Sequence, residues 1–247
     1  MSKIFIVGTG PSLAKTNLMA VESAGYQTWT SGEIQLLYPT TRWRPTRYWW
    51  TDHPQDAGHW ESLMFHMEQG YPMWVRRDVY EMLTGEYRPL GDWYPGPLHK
   101  VPGHVRSWDY CVKHNAGLVR DDITGEPDVR RPEGWHPEDW PVLCKYGSGL
   151  NCMMQQACIE GHEIVLVGCD LGFKGRPRDC QADPDHFHPD YNRRHASEER
   201  AQIDQETHID FHTHALRYCQ AHGIRIVNAT IGGQLEVYPR VSLVDEL

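Results

Sequence analysis

An apolar run near the start of the chain leads directly into a glycine turn. Residues 4–7 (IFIV) are followed by Gly8, Thr9 and Gly10, and Pro11 opens the next segment. This order predicts a strand, a tight turn and a helix whose first N–H groups face the space above the turn. Because such N–H groups attract anions, the turn predicts a phosphate site in an α/β domain.

The turn departs from the dinucleotide fingerprint GxGxxG, since Leu13 occupies the position of the third glycine. The sequence therefore disfavours a nicotinamide or flavin cofactor. A first strand and turn with no ligand at all remains the alternative interpretation of this segment.

Strand and helix signals alternate through residues 1–52 and 142–247. We expect a single Rossmann-like α/β domain over residues 1–247, with a mainly parallel sheet and helices on both faces. The expected strands cover residues 3–8, 26–31, 47–51, 142–146, 163–170 and 224–229, and the expected helices begin near Pro11 and cover 148–161 and 197–221.

Residues 53–141 differ from the flanking segments in composition and in hydrophobic periodicity. They hold most of the ten tryptophans and show little periodicity, which predicts a Trp/Pro-rich insertion with a strand and helix only at 72–80. Its aromatic residues either stack on a sugar or base or pack a small satellite core. Those aromatic residues are Trp93, Tyr94, Trp108 and Tyr110.

The composition limits which binding partners and which cellular compartment we expect for this protein. A net charge of −9 argues against stable binding to nucleic acid or to an anionic membrane. No apolar run is long enough for a transmembrane helix, and the N-terminus has no secretory pattern. Seven scattered cysteines do not suggest a disulfide framework, so we expect a cytoplasmic protein.

A second glycine feature lies past the midpoint. Ser148 and Gly149 open a predicted helix, and the apolar strand that follows ends at Asp170. The Ser148 hydroxyl either caps the helix or contacts a phosphate or ribose oxygen. Asp170, at the carboxyl end of a strand, is suited to holding ribose hydroxyls, a metal or a loop.

The polar loop expected over residues 171–195 contains the densest group of reactive side chains, DPDHFHPDY at 183–191. His186 or His188 can act as a general base, and Tyr191, Arg193 or Arg194 can bind a departing phosphate. The alternating Asp and His residues also suit a metal, and a solvated loop without a catalytic role is the third interpretation.

Two further patterns lie near the end of the chain. Asp204, His208 and His212 recur every four residues, which favours a solvated helix face over a zinc site because the HExxH pattern is absent. Asn228 ends the last predicted strand, and Gly232 and Gly233 would permit a close approach to a nucleotide base.

Both glycine motifs, in this order and spacing, resemble a group that joins the bacterial sialyltransferases of the Campylobacter type (glycosyltransferase family 42) and the DUF115 proteins. The similarity covers roughly residues 3–52 and 142–240 and rests on GxGPSL and on the GSG–helix–strand–GxD unit. It implies one α/β domain that binds a nucleotide at the carboxyl edge of the sheet. It also implies a CMP-sugar donor, no metal requirement and a homo-oligomer.

Matching by motif carries the nucleotide-binding role to eight positions. These are Gly8, Thr9, Gly10, Ser12, Ser31, Asp52, Ser148 and Gly149. Asp170 joins the predicted nucleotide-binding residues because of its place at the carboxyl end of a strand. Asn228 stands on the closing strand that the family places near the base, and His186 matches the lid histidine. The chain departs from the family at Thr9, Ser31 and Asp52, where asparagines are usual, and at Gly172 and Phe173, where tyrosines are expected.

The sequence therefore predicts a glycosyltransferase that moves a sugar from a nucleotide-activated donor to the hydroxyl of a glycan or small-molecule acceptor. The predicted catalytic residues are His186, His188 and Tyr191. One alternative is a diphosphokinase like the archaeal 6-hydroxymethylpterin enzyme, with Mg²⁺ held by Asp52, Asp170 or the aspartates of the loop. The other is a nucleotide- or glycan-binding protein without turnover.

Overall fold

The computed structural model describes residues 2–52, 54, 57–86, 88, 94–108, 149–174, 182–191 and 198–247. Within these ranges seven strands form one parallel sheet. They are β1 (Lys3–Val7), β2 (Gln27–Ser31), β3 (Arg47–Trp50), β4 (Met73–Arg76), β5 (Val105–Trp108), β6 (Glu163–Val167) and β7 (Ile226–Asn228).

Helices connect these strands. The described α-helices are α1 (Leu18–Ser23), α2 (Ala57–Glu68), α3 (Arg77–Thr84), α4 (Gly149–Ile159), α5 (Glu198–Ala221) and α6 (Leu243–Glu246), with short 3₁₀ segments at Pro11–Lys15 and Ile34–Leu37. None of these helices is both long and apolar enough to cross a membrane.

The strand order is β5-β4-β3-β2-β1-β6-β7, and each neighbouring pair is parallel. The order therefore reverses beside β1, which pairs with β2 on one side and with β6 on the other. In open α/β sheets, the crevice at the carboxyl ends of the strands at this reversal is where ligands bind. The predicted Rossmann-like fold is confirmed.

Alternate residues of the central strands enter two apolar layers, one on each face of the sheet. Phe5 and Val7 pack towards one layer, while Ile4 and Ile6 pack towards the other. All four are fully buried. A continuous apolar run such as IFIV is typical of a parallel strand covered on both sides.

The segment that begins at Pro11 forms a 3₁₀ turn rather than the predicted α-helix. The α-helix begins only at Leu18, where the Asn17 side chain accepts a hydrogen bond from the N–H of Ala20 at 3.2 Å. The cap at Asn17 explains why the regular helix starts there.

The segment predicted as an insertion extends the sheet as far as residue 108. It supplies α2, β4, α3 and β5, with Tyr48 of β3 opposite Met73 and Met73 opposite Val105. Tyr94 packs edge-to-face on Trp60 with ring centroids 5.2 Å apart, which matches the packing interpretation. Trp93, Tyr110 and the strand predicted at 142–146 lie outside the described residues, as does the Trp108 side chain.

Candidate functional site

A cleft of about 800 Å³ opens at the carboxyl edge of the sheet. The turns after β1, β2, β3 and β6 form its floor, and α4, α5 and the loop at 182–191 form its sides. Its lining includes Gly8, Thr9, Gly10, Ser31, Thr51, Asp52, Gly149, Asp170, Phe173, Lys174, Asp185, His186, Tyr191, His208 and His212.

The first glycine turn packs against the turn that follows β6. The N–H of Gly8 donates to the Val167 carbonyl, and the N–H of Gly10 donates to the Gly168 carbonyl, both at 2.8 Å. A Cβ atom on Gly8 would lie 2.5 Å from the Gly168 oxygen. Glycine is therefore needed here because two stretches of backbone meet, and the close approach is to protein rather than to a ligand.

Asp170 occupies the helix start that the sequence predicts as a phosphate site. Its Oδ2 atom accepts a hydrogen bond from the Ser12 hydroxyl at 2.7 Å and another from the Ser12 N–H at 3.2 Å. Burial raises the pKa of Asp170, while these bonds oppose the rise. Ser12 is buried and bonded to a carboxylate of the protein, so in this structure its donors are directed at Asp170, and its contact with a nucleotide stays a prediction.

The second glycine feature, at the start of α4, lies at the same carboxyl edge of the sheet as the first glycine turn. A Cβ atom on Gly149 would lie 2.6 Å from Thr51 Oγ1 and 2.9 Å from Ser31 Oγ. Gly149 at the start of α4 therefore lies beside the ends of β2 and β3, and Asp52 lines the adjoining floor. Ser148 lies outside the described residues.

The loop at 182–191 lies over the first turn. Its Phe187 N–H donates to the Thr9 carbonyl at 3.0 Å. The Tyr191 hydroxyl bonds to the side chain of Thr9 and to the backbone of Glu33, and burial raises the pKa of this phenol. In this structure the Tyr191 hydroxyl holds the loop in place, and its role in binding a departing phosphate stays a prediction.

His186 is oriented by a buried carboxylate within the loop. Its Nδ1 atom lies 2.8 Å from Asp183 Oδ2, and the Asp183 side chain is only 3 % exposed. The imidazole also stacks on the Tyr191 ring, with centroids 3.9 Å apart and planes 6° apart. When Nδ1–H donates to the carboxylate, Nε2 is the nitrogen that can take a proton.

Besides Ser12, two predicted site residues lie outside the described lining of the cleft. His188 is absent from its described lining, and its Nδ1 accepts a bond from the Asp190 N–H at 3.2 Å. Asn228 is fully buried, where it donates to the Leu235 carbonyl at 2.8 Å and accepts from the Thr230 N–H at 3.0 Å. The amide of Asn228 stabilises the turn after β7 instead of meeting a base.

Gly233, after β7, also packs against protein. A Cβ atom on Gly233 would lie 2.7 Å from the Asp170 carbonyl oxygen, and the Gln234 N–H donates to that oxygen at 2.5 Å. The close approach at Gly233 is therefore to the backbone of Asp170, and an approach of this turn to a nucleotide base stays a prediction.

Two histidines that the sequence assigns to a solvated helix face are buried in the cleft wall. His208 is 8 % exposed and His212 is 1 % exposed. Phe173 covers His208 with ring centroids 5.2 Å apart, and the Tyr238 hydroxyl lies 2.9 Å from His212 Nδ1. Both partners come from distant segments, so only the i, i+4 spacing of the two histidines was visible in the sequence. The Asp204 side chain lies outside the described residues.

The described lining of the cleft carries three carboxylates, Asp52, Asp170 and Asp185, beside the cation Lys174. Asp185 Oδ1 accepts a hydrogen bond from the backbone N–H of Lys174 at 2.7 Å. No three His, Cys, Asp or Glu side chains among the described residues lie close enough together to hold a metal ion. Arg193 and Arg194 lie outside the described residues.

Comparison of the chain with protein-family models, with curated proteins and with solved structures gives no match. The fold and the cleft define an α/β protein with a candidate ligand site at the reversal of strand order. A proposal for its function depends on the geometry of that cleft.

Proposed function

We propose that the protein is a nucleotide-dependent transferase that moves a sugar from a nucleotide-activated donor to an acceptor hydroxyl. The observation that carries the proposal is the pairing of His186 with the buried Asp183, at 2.8 Å, beside the cleft at the strand-order reversal. A carboxylate that fixes the tautomer of a histidine leaves one ring nitrogen ready for proton transfer.

In the proposed reaction, His186 Nε2 takes the proton of the acceptor hydroxyl as its oxygen attacks the anomeric carbon. The bond from that carbon to the phosphate oxygen breaks, and its electron pair leaves with the nucleotide phosphate. Asp183 stabilises the imidazolium that forms.

The donor phosphate would lie at the start of α4 rather than at the first turn. Asp170 already occupies the 3₁₀ start, whereas Gly149 lies beside the hydroxyls of Ser31 and Thr51. Helix N–H groups and hydroxyl groups together suit a phosphate. The loop over Thr9 would exclude water from the reacting atoms.

The proposal includes a cytoplasmic location and no required cofactor. The four described cysteines, Cys152, Cys158, Cys169 and Cys219, are free and buried, which suits a reducing compartment. A sialyltransferase-like CMP-sugar donor and a glycan or small-molecule acceptor remain the preferred substrates.

The test of this proposal is His186→Ala, with His188→Ala as the matched control on the same loop. We expect His186→Ala to lower the rate of transfer or donor hydrolysis by about 10²- to 10⁴-fold, as loss of a general base does. Nucleotide affinity should stay nearly unchanged, and His188→Ala should keep its activity because His188 is outside the described lining. Full activity of both variants would refute the general-base assignment.

The donor class can be found by thermal shift with CMP, CDP, UDP, GDP, AMP and ATP, each with and without Mg²⁺. A ligand at a hundred times its Kd stabilises a protein by about 2.7 kcal/mol, which is easily detected. Stabilisation by a nucleotide with no turnover of any activated donor would instead indicate a binding protein.

The acidic lining favours one second candidate, a Mg²⁺-dependent diphosphokinase. Mg²⁺ is commonly held by one or two carboxylates together with substrate phosphates. Asp52 and Asp185 line the cleft and would supply those carboxylates. The ion would neutralise phosphate charge in this site. Activity abolished by EDTA, with AMP released from ATP, would favour this candidate over the glycosyltransferase.

A further inference from the structure

We propose that His212 is a ligand-binding residue whose Nε2 atom accepts a hydrogen bond from an uncharged ring that carries an N–H or O–H donor. Such a ring is supplied by a nucleobase or by a sugar. The inference deepens the proposed function and rests on it, because both proposed substrates bring such a ring into the cleft.

The contacts of Tyr238 favour one tautomer of His212. Its hydroxyl oxygen lies 3.1 Å from the backbone carbonyl of His212, which can only accept, and 2.9 Å from His212 Nδ1. The tautomer that satisfies both contacts at once has the Tyr238 O–H donating to the carbonyl and Nδ1–H donating to the Tyr238 oxygen. In a neutral imidazole, Nε2 then has a lone pair and no proton.

His212 remains neutral because of its surroundings. Burial lowers the pKa of His212 well below its ordinary value, and the neighbouring His208 lowers it further. Nε2 is therefore a hydrogen-bond acceptor at neutral pH and a weak base. This separates it from His186, which is paired with a carboxylate.

The Nε2 atom is available to a ligand. The His212 ring lines the cleft, and Nε2 makes no hydrogen bond with any residue that the structure describes.

The wall around His212 is apolar and aromatic. Leu150 and Met153 of α4 line the cleft, and Phe173 covers His208, whose ring centroid lies 6.3 Å from that of His212. Such a surface suits the face of a planar or ring-shaped group. An anionic group is disfavoured, because its oxygens accept hydrogen bonds and cannot donate to Nε2.

These facts give the ligand one orientation. The uncharged ring would lie against α5, and the phosphate would lie by the start of α4, where Ser31 and Thr51 supply hydroxyl groups. A specific acceptor at the ring end makes His212 a determinant of specificity rather than of rate.

Nitrogen-15 NMR of the histidine rings in the intact protein tests the inference. We expect the free protein to show His212 Nδ1 protonated and Nε2 unprotonated. Saturating cytidine or adenosine, or methyl galactoside as a model acceptor, should then move the Nε2 signal. Movement with a nucleoside identifies the base as the donor, and movement with the galactoside alone identifies the acceptor sugar.

Inorganic phosphate is the negative probe. An Nε2 signal that moves only with phosphate, moves with no probe, or already carries a proton would overturn the inference. These outcomes are distinct from failure of the proposed function, which would appear as absent transfer even where a nucleoside moves the signal.

His212→Phe supplies the second test, with His222→Phe as its control, because His222 lies in an exposed part of the same helix region. We expect His212→Phe to weaken binding of the active probe by about tenfold, which corresponds to about 1.4 kcal/mol. His222→Phe should leave binding unchanged. Equal affinity in both variants would contradict the inference, and the wild-type spectra decide it if His212→Phe does not fold.

Discussion

The two sides of the cleft use their polar groups differently. On the β1 side, the N–H groups of Gly8 and Gly10 donate to backbone carbonyls, and Ser12 donates to Asp170. On the helical side, His212 Nε2 makes no hydrogen bond with the described residues.

The difference shows that a glycine-rich turn does not by itself indicate a ligand. Glycine permits a close approach, but the approaching group can be backbone of the same chain, as it is between Gly8 and Gly168. Polar atoms that the protein leaves unpaired are the stronger sign of a binding surface, because pairing is the rule for buried polar groups. We therefore expect substitutions on the β1 side to affect stability and those on the helical side to affect binding.

The largest expected effect is that of Gly8→Ala. A Cβ atom there would lie 2.5 Å from the Gly168 carbonyl oxygen, which is backbone and cannot rotate away. We expect the free energy of unfolding to fall by about 3 kcal/mol, at the upper end of overpacking costs. Urea denaturation measures it.

Gly103→Ala is the matched control, since no atom of the described residues other than its chain neighbours lies within 4 Å of the Cβ position there. Its change in the free energy of unfolding should stay within about 0.5 kcal/mol. A Gly8→Ala protein as stable as this control would break the distinction between the two sides, because the first turn would then have room for a ligand.

Ser12→Ala should have the next largest effect. It removes a hydrogen bond of 2.7 Å to a carboxylate that is 8 % exposed. Hydrogen bonds to charged groups contribute about 1.5–3 kcal/mol, so we expect a loss of about 2 kcal/mol at pH 7.

The pH dependence of that loss sharpens the test. The Ser12 bond stabilises the ionised form of Asp170 and so opposes the rise in pKa caused by burial. The destabilisation should therefore be greatest at neutral pH and shrink under acid conditions that protonate the carboxyl group. A loss that is equal at pH 7 and at acid pH would show that the hydroxyl acts only through packing.

Gly149→Ala should have the smallest effect on stability and a measurable effect on binding. Its Cβ atom would press on Thr51 Oγ1 at 2.6 Å and on Ser31 Oγ at 2.9 Å, both of which belong to side chains. We expect the affinity for the best nucleotide to fall about tenfold, or about 1.4 kcal/mol, by calorimetric titration. Unchanged affinity for every nucleotide that stabilises the wild type would contradict a phosphate at the start of α4.

Much of the fold could be predicted from local pattern. The runs that became β1, β2, β3 and β6 are short and bounded by polar or glycine residues, and those of β1 and β6 are largely apolar, so their positions were predicted to within a few residues. Strand β5 was not recognised, because the four residues VRSW carry an arginine and lie among prolines and glycines. Its backbone pairs with β4, and that partner lies far away in sequence.

The site was predicted less completely than the fold. That Gly8, Gly149 and the strand ends line one cleft could be predicted, because parallel strands bring their carboxyl ends to one edge of the sheet. The burial of His212 could not be predicted, since α5 is polar on several sides and its cover, Tyr238, is known only from the folded chain. His186 and His188 share one short polar pattern, and the folded chain separates them: His186 is paired with Asp183 and lines the cleft, whereas His188 is outside its described lining.

The attachment of the loop at Thr9 has a consequence for the turnover rate of the proposed transferase. Thr9 belongs to a turn whose backbone is bonded to β6, and it holds both Phe187 and Tyr191. If product leaves between the loop at 182–191 and the first turn, these contacts must break together with the stacking of His186 on Tyr191. Departure of the spent nucleotide would then be slower than the bond-breaking step, and viscosity of the medium would govern the overall rate.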